Sequence, residues 1–144
     1  MGTSVAEPGG IGASKYAGFI SYSHHDRQVG EWLHRALERY RVPKRLVGQP
    51  GAHGPVPARL YPIFRDRDEL SAGVLAEQLR TAIGQSRCFI LICSPQAAAS
   101  RWVNAEIEHW FAAGGSPARL LCLIADGEPN AAAQGRPERE CLPP

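Results

Sequence analysis

The chain has 144 residues, 44% of them apolar, enough for one domain with a real core. Its 16 Lys and Arg against 14 Asp and Glu leave a net charge of +2, and the cations are scattered, so no phosphate-tracking stripe argues for direct nucleic-acid binding. No run of about 18 apolar residues occurs, so no membrane span is expected. Residues 1–14 are Gly-rich and lack both a basic start and an apolar stretch, so they read as a disordered leader rather than a secretory signal. The cysteines Cys88, Cys93, Cys122 and Cys141 form no CxxC pair and have no His at metal-ligand spacing, so no metal is expected. Three of them sit in apolar runs and read as small buried hydrophobes of a reduced, cytoplasmic chain.

Residues 16–23, short, aromatic and β-branched, predict a first strand, with Ser-His-His-Asp following as a turn. Asp26 is placed to cap a helix over 27–41, in which Val29, Trp32, Leu33, Ala36, Leu37 and Tyr40 form an apolar stripe and Arg35, Glu38 and Arg39 face water. Residues 42–58 are a Gly- and Pro-rich loop, long for a compact domain. A second strand over 59–64 contains Pro62, which lacks an N–H and marks an edge. The charged loop 65–73 leads to a helix over 74–83 that buries Leu75, Leu79 and Ile83 and stops at Gly84. The run 87–93 is apolar throughout, as a central parallel strand is. Ser94-Pro95 ends it, Ala97 to Ala99 lead on, and Ser100 caps a third helix over 101–113 with Val103, Ile107 and Phe111 inward. A fourth strand follows over 119–124, and from residue 126 no period survives, leaving an irregular tail over 126–144.

Strands alternating with helices predict a parallel sheet covered by helices on both faces, with no closing helix, so that either the domain is small or its C-terminal strand or helix is truncated. Right-handed crossovers set the loops at 23–26, 65–73 and 94–100 along one edge. Open α/β sheets bind ligands at the carboxyl ends of their strands. On that edge Trp102 and Glu106, four apart, share one face of a helix that opens just past a buried strand. The plainer alternatives are a Glu that only favours the helix dipole and a Trp that is core. No phosphate-binding loop, dinucleotide fingerprint or nucleophile elbow occurs. The acidic residues of a phosphoacceptor site are missing where strands one and three end, at Ser23-His24-His25-Asp26 and Cys93-Ser94.

Three boxes in order resemble the Toll/interleukin-1 receptor (TIR) domains in their bacterial form. Phe19-Ile20-Ser21-Tyr22-Ser23 resembles the first-strand box. Phe-Arg-Asp-Arg-Asp-Glu-Leu at 64–70, with Gly73 after it, resembles the loop called BB. Ser100-x-Trp102-x-x-x-Glu106 resembles the signature of the third helix. The likeness covers about residues 16–125 of a TIR domain spanning 15–144. It implies a flavodoxin-like fold and one of two activities. The first is an NAD⁺ nucleosidase of bacterial signalling and defence that makes ADP-ribose or a cyclic isomer, with NAD⁺ as substrate rather than cofactor. The second is a non-catalytic module that assembles with other TIR domains.

By the same resemblance Glu106 is the catalytic residue. Phe19, Ser21, Ser23, His24, Arg65, Asp66 and Trp102 lie toward the substrate, and Arg67, Asp68, Glu69, Leu70 and Gly73 form the assembly loop. Some members carry Arg after the first strand where this chain has Ser-His-His, which leaves the phosphate contact open between His24, His25 and neither. The alternating charges of 65–69 fit either a solvated loop or head-to-tail docking into oligomers and filaments. His109, three after Glu106, lies close enough along the helix to tune it, the plainer alternative being a surface histidine.

The chemistry suits a single carboxylate. Breaking an N-glycosidic bond builds positive charge on C1′ and the ring oxygen. Nicotinamide leaves as a neutral pyridine, so no general acid is required, and a fixed negative charge beside the ribose is enough.

Overall fold

A strand with no polar face needs cover on both sides, and Phe-Ile-Leu-Ile-Cys at 89–93 has it. In chain order the elements are β1 (Gly18–Ser21), α1 (Arg27–Arg39), the two-residue strands β2 (Pro50–Gly51) and β3 (Gly54–Pro55), β4 (Ile63–Arg65), α2 (Ala72–Gly84), β5 (Phe89–Cys93), α3 (Pro95–Ala98), α4 (Arg101–Ala112) and β6 (Leu120–Ile124). The computed structural model describes residues 14–51, 54–65 and 72–144. Residues 1–13 of the expected leader therefore lie outside the described residues, as do Asp66, Arg67, Asp68, Glu69 and Leu70 of the charged loop.

The main sheet is parallel, in the order β4-β1-β5-β6. The expected α/β class, a parallel sheet with helices on both faces, is the one observed, and β4 lies at an edge as Pro62 requires. Strand periodicity sorts the side chains. Phe19, Phe89, Leu91 and Cys93 pack on one face with Leu79, Ala82 and Ile83 of α2 and Val103 and Trp110 of α4. Ile20, Tyr22, Ile63 and Ile92 pack on the other with Val29, Leu33 and Leu37 of α1. An aromatic ladder ties the first face together across three strands and a helix: Phe64 stacks on Phe19 at 5.4 Å, Phe19 on Phe89 at 5.5 Å, and Phe89 meets Trp110 at 5.8 Å.

Several expectations are corrected. The buried stripe of α1 is Val29, Leu33 and Leu37, whereas Trp32 and Tyr40 are 56% and 50% exposed. Gly30 is buried beneath the Tyr22 ring, where a Cβ would sit 3.3 Å from ring carbons, so α1 packs closely on Tyr22 at Gly30 and not through the tryptophan. Glu38 does not simply face water: its Oε2 accepts the Ile63 N–H at 2.8 Å and pairs with His34 Nε2 at 3.2 Å. On α4 the inward aromatic is Trp110, 2% exposed, while Phe111 is 44% exposed. The stripe there is Val103, Glu106 and Trp110 at i, i+3 and i+7, and a carboxylate in its middle hides it from a count of apolar residues. Helix α2 begins at Ala72, which sets Gly73 inside its first turn rather than at the end of the charged loop.

The loop at 42–58 carries the β2–β3 hairpin and is tethered by an isolated backbone pairing of Arg41 with Arg59, antiparallel as in a sheet, and by Arg59 Nη2 donating to the Glu38 carbonyl at 2.7 Å. Ala97 belongs to an extra turn of helix, α3, capped by Ser94 Oγ accepting the Ala97 N–H at 3.0 Å. Ser100 caps α4 as expected, accepting the Val103 N–H at 3.1 Å.

The tail is less irregular than its composition suggests. Ala131 and Cys141 are fully buried, and the Glu140 carboxylate accepts N–H groups from Asn130, Ala132 and Leu142. Those N–H groups, Leu142's foremost, hold the Glu140 carboxyl below its usual range. Cys141 reaches the α2/α4 core beside Cys93, whose thiol is pushed up to about 12, first by burial and then by the nearby Cys122 and Cys141 thiols. Cys122 itself is exposed, not buried as expected, because β6 is the other edge strand and also leaves Leu121 and Ile124 about half exposed. Among the described residues no helix is long and apolar enough to cross a membrane.

The packing of α4 sets a clear test. Trp110→Ala should lower the unfolding free energy by about 3–5 kcal/mol, the usual range for a large core aromatic. Phe111→Ala should cost under about 1 kcal/mol, as surface changes do. Urea titration of both variants measures the contrast, which equal costs would remove.

Candidate functional site

Strand β1 ends at Ser21, and the alternation that sends Phe19 toward α2 and α4 sends Ser21 the same way. Ser21 is fully buried, and its Oγ donates to Glu106 Oε1 at 2.6 Å across 85 positions of chain. That length lies at the short end of the O–H···O range. Glu106 is 5% exposed because it occupies the middle of the buried stripe of α4, between Val103 and Trp110. Such burial is costly for a carboxylate unless hydrogen bonds compensate, and the Ser21 hydroxyl is one that does.

One turn earlier, half-buried Trp102 packs against the same core. Helix α2 faces this wall with Leu79 and Ile83. Between the helices runs a cleft of about 370 Å³, lined by Leu79, Arg80, Ile83, Trp102, Glu106 and His109 among others. Its volume is in the range of small-ligand sites. Chemically the cleft presents a held negative charge beside an aromatic wall, with a guanidinium and an imidazole on its lining. That arrangement suits a group carrying hydroxyls or developing positive charge next to an anionic substituent.

Of the residues singled out from the sequence, the structure brings Ser21, Trp102 and Glu106 together. It does not bring Phe19, Ser23 or Arg65 to the cleft. Phe19 is fully buried between Phe64 and Phe89 and sets the position of β1. Ser23 is turned inward, its Oγ donating to Asp26 Oδ2 at 3.0 Å. The expected helix cap at Asp26 is therefore corrected. Its carboxylate makes no cap hydrogen bond to α1 and instead accepts both Ser23 Oγ and, at 2.5 Å, Ser94 Oγ at the end of β5. Arg65 lies on the opposite face of the sheet, because its register partner is Ile20 rather than Phe19. There its Nε donates to His34 Nδ1 at 3.1 Å and its Nη1 to Tyr22 Oη at 3.2 Å.

His24 and His25 are exposed in the short turn after β1. Gly73 belongs to α2, and the rest of the charged loop lies outside the described residues. His109, noted beside Glu106, lines the cleft. Arg80 was not singled out, although its place next to Leu79 on the second helix puts it in the sector flanking the buried stripe.

Residues 19–122 match the family described as Thoeris protein ThsB, TIR-like domain. Among curated proteins the chain is similar to the NAD(+) hydrolase ApTIR of an Actinoplanes species, with 39% identity over 116 residues. The aligned region is 79% of this chain and 14% of that protein, so the chain spans a small part of its relative's length. No solved structure matches the chain.

The Asp26 carboxylate predicts its own cost. Asp26→Ala leaves two buried serine hydroxyls without their acceptor and should destabilise the fold by about 1–3 kcal/mol. His25→Ala, one residue away on the surface, should stay within about 0.5 kcal/mol. Thermal and urea unfolding of the pair check the difference, and a neutral Asp26→Ala would contradict the bonding described.

Proposed function

The chain belongs to the TIR-like domain family of Thoeris protein ThsB, and from that membership we propose that it is an NAD⁺ nucleosidase with Glu106 as its essential carboxylate. One observation carries the reading: a carboxylate sits in the core stripe of α4, is held by Ser21 at the end of β1, and opens on a cleft. An interior position favours an apolar residue, so a charge retained there points to work on a ligand. The similarity to a protein named as an NAD(+) hydrolase supports the same reading. The competing reading, an assembly module without catalysis, leaves this carboxylate and its cleft without a task.

The mechanism follows from the chemistry of the bond. The C1′–N1 bond of the nicotinamide riboside breaks, and its electron pair leaves on the ring nitrogen as neutral nicotinamide. Positive charge develops on C1′ and the ribose ring oxygen. Glu106 stabilises that charge and accepts hydrogen bonds from the ribose hydroxyls. Ser21 holds Oε1 in place before the reaction begins, so little reorganisation is needed at the transition state. Trp102 walls the ribose and keeps bulk water to one side. Water then adds to C1′ and gives up a proton, yielding ADP-ribose. Attack by an adenine nitrogen instead yields a cyclic isomer.

The other candidate residues take lesser parts in this reading. His24, exposed past the end of β1, is available to a phosphate. Phe19 and Ser23 act by positioning, and Arg65 anchors the start of the charged loop against α1. The alternating charges at 65–69, with Leu70 and Gly73, dock onto a neighbouring TIR domain, and such head-to-tail contact builds an oligomer or filament that raises activity in bacterial defence signalling.

Two outcomes follow. With purified chain and NAD⁺, Glu106→Ala should lower turnover by at least about 10²-fold, the scale of a lost transition-state electrostatic contact. Ser21→Ala should reduce kcat by roughly 10-fold, the scale of one lost hydrogen bond of about 1.4 kcal/mol. Chromatography of nicotinamide release measures both, and equal NAD⁺ loss in wild type and Glu106→Ala would sink the enzymatic reading. Separately, specific activity of the wild type should rise with protein concentration, and Glu69→Lys should flatten that rise. An unchanged rise in the variant would remove Glu69 from docking.

A further inference from the structure

We propose that Arg80 is the phosphate-binding residue of the cleft, which makes the site selective for a ribose carrying a 5′-phosphate or diphosphate over a bare nucleoside. The proposal rests on the nucleosidase reading and adds to it a binding residue and a ligand class.

Two walls and their charges carry the argument. Helix α4 contributes Trp102, Glu106 and His109, and α2 contributes Leu79, Arg80 and Ile83. Leu79 and Ile83 are buried and form the floor, whereas Arg80 between them in sequence is exposed and stands at the rim. Glu106 is deep and Arg80 shallow, so a buried negative charge faces a surface positive one, with the exposed Glu108 carboxylate also on the lining.

A ribose has the same polarity. Its C1′ becomes cationic during cleavage, and its 5′-oxygen, on the other side of the ring, bears the phosphate. With C1′ at Glu106, the 5′-phosphate points away from the carboxylate, and Arg80 on the facing wall meets it. Reversing the ligand would set the phosphate against a buried carboxylate, which like-charge repulsion forbids.

Arg80 is also uncommitted. Among the described residues its guanidinium makes no ion pair or hydrogen bond, although Glu108 lines the same cleft. Several other arginines are engaged within the fold: Arg59 with the Glu38 carbonyl, Arg65 with His34 and Tyr22, Arg119 with the Arg87 carbonyl, and Arg139 with Asp126. A planar guanidinium with its donors unspent suits the bidentate recognition of a phosphate group.

The test compares two substrates and one ligand. For NAD⁺, Arg80→Ala should lower kcat/KM by roughly 10–100-fold, mostly through KM, and Arg80→Lys should recover part of the loss. For nicotinamide riboside, which has no phosphate, the same variants should match wild type. Binding is measured independently of turnover by calorimetry with ADP-ribose on Glu106→Gln chain. Adding Arg80→Ala there should weaken affinity by a similar factor, with circular dichroism confirming the fold. Equal losses on both substrates, or ADP-ribose affinity indifferent to Arg80 or undetectable in its presence, would overturn the proposal. Arg80-dependent binding of ADP-ribose without cleavage of either substrate would keep the phosphate site and remove the nucleosidase chemistry.

Discussion

A carboxylate held inside a protein is the constraint on which the rest of this structure turns. The hydrogen bond from Ser21 to Glu106 joins the end of the first strand to the middle of α4. Isolated, such a buried charge costs several kcal/mol. Its place between Val103 and Trp110 therefore needs a partner at short range and a backbone that keeps the partner there. The neighbouring elements serve that need. Phe19, two residues before Ser21, is clamped between Phe64 and Phe89, so β1 cannot slide along its neighbours. The Ser100 cap sets the start of α4 and with it the angular position of Glu106 one and a half turns later.

The carboxyl ends of the two central strands are braced by a second buried carboxylate. Asp26 accepts the hydroxyls of Ser23 and Ser94, so the segment after β1 and the segment after β5 share one acceptor. Ser94 also caps α3, which makes a single hydroxyl the junction of a strand, a helix and a loop. The opposite face carries a separate polar chain running Tyr22, Arg65, His34 and Glu38 to the Ile63 N–H. It fixes β4 against α1 at the point where the charged loop begins. One side of the sheet thus presents the Glu106 cleft, while the other anchors the segment that the proposed assembly uses.

Much of this was legible in the residues. The doubly apolar run at 89–93, the alternation of strands and helices, the Ser100 cap and the four-residue spacing of Trp102 and Glu106 all carried over directly. The misses share a cause: one-dimensional patterns weigh apolar residues and ignore what a polar one can do in the interior. Counting only apolar positions on α4 favoured Phe111 over Trp110, since Glu106 interrupts the true stripe. Asp26 read as a helix cap because its acceptors' real donors, Ser23 and Ser94, are brought together only by the pairing of β1 with β5. The face occupied by Arg65 depends on the register of β4 against β1, which no local pattern encodes. The tail is pinned by one glutamate and backbone N–H groups, an arrangement without period. Arg80 lacked a signal until α2 and α4 stood opposite each other.

The three tryptophans are distributed in a way that gives the molecule a built-in optical probe. Trp32 is 56% exposed on the outer face of α1, and Trp110 is 2% exposed, with Gly115 against its ring and the Arg119 guanidinium over it. These two indoles stand at the wet and dry extremes of solvation, and neither lines the cleft itself. Trp102 alone of the three lines that cleft, between those limits of solvation. Tryptophan fluorescence of this chain therefore samples three degrees of solvation, and the wall of the Glu106 cleft supplies the middle one.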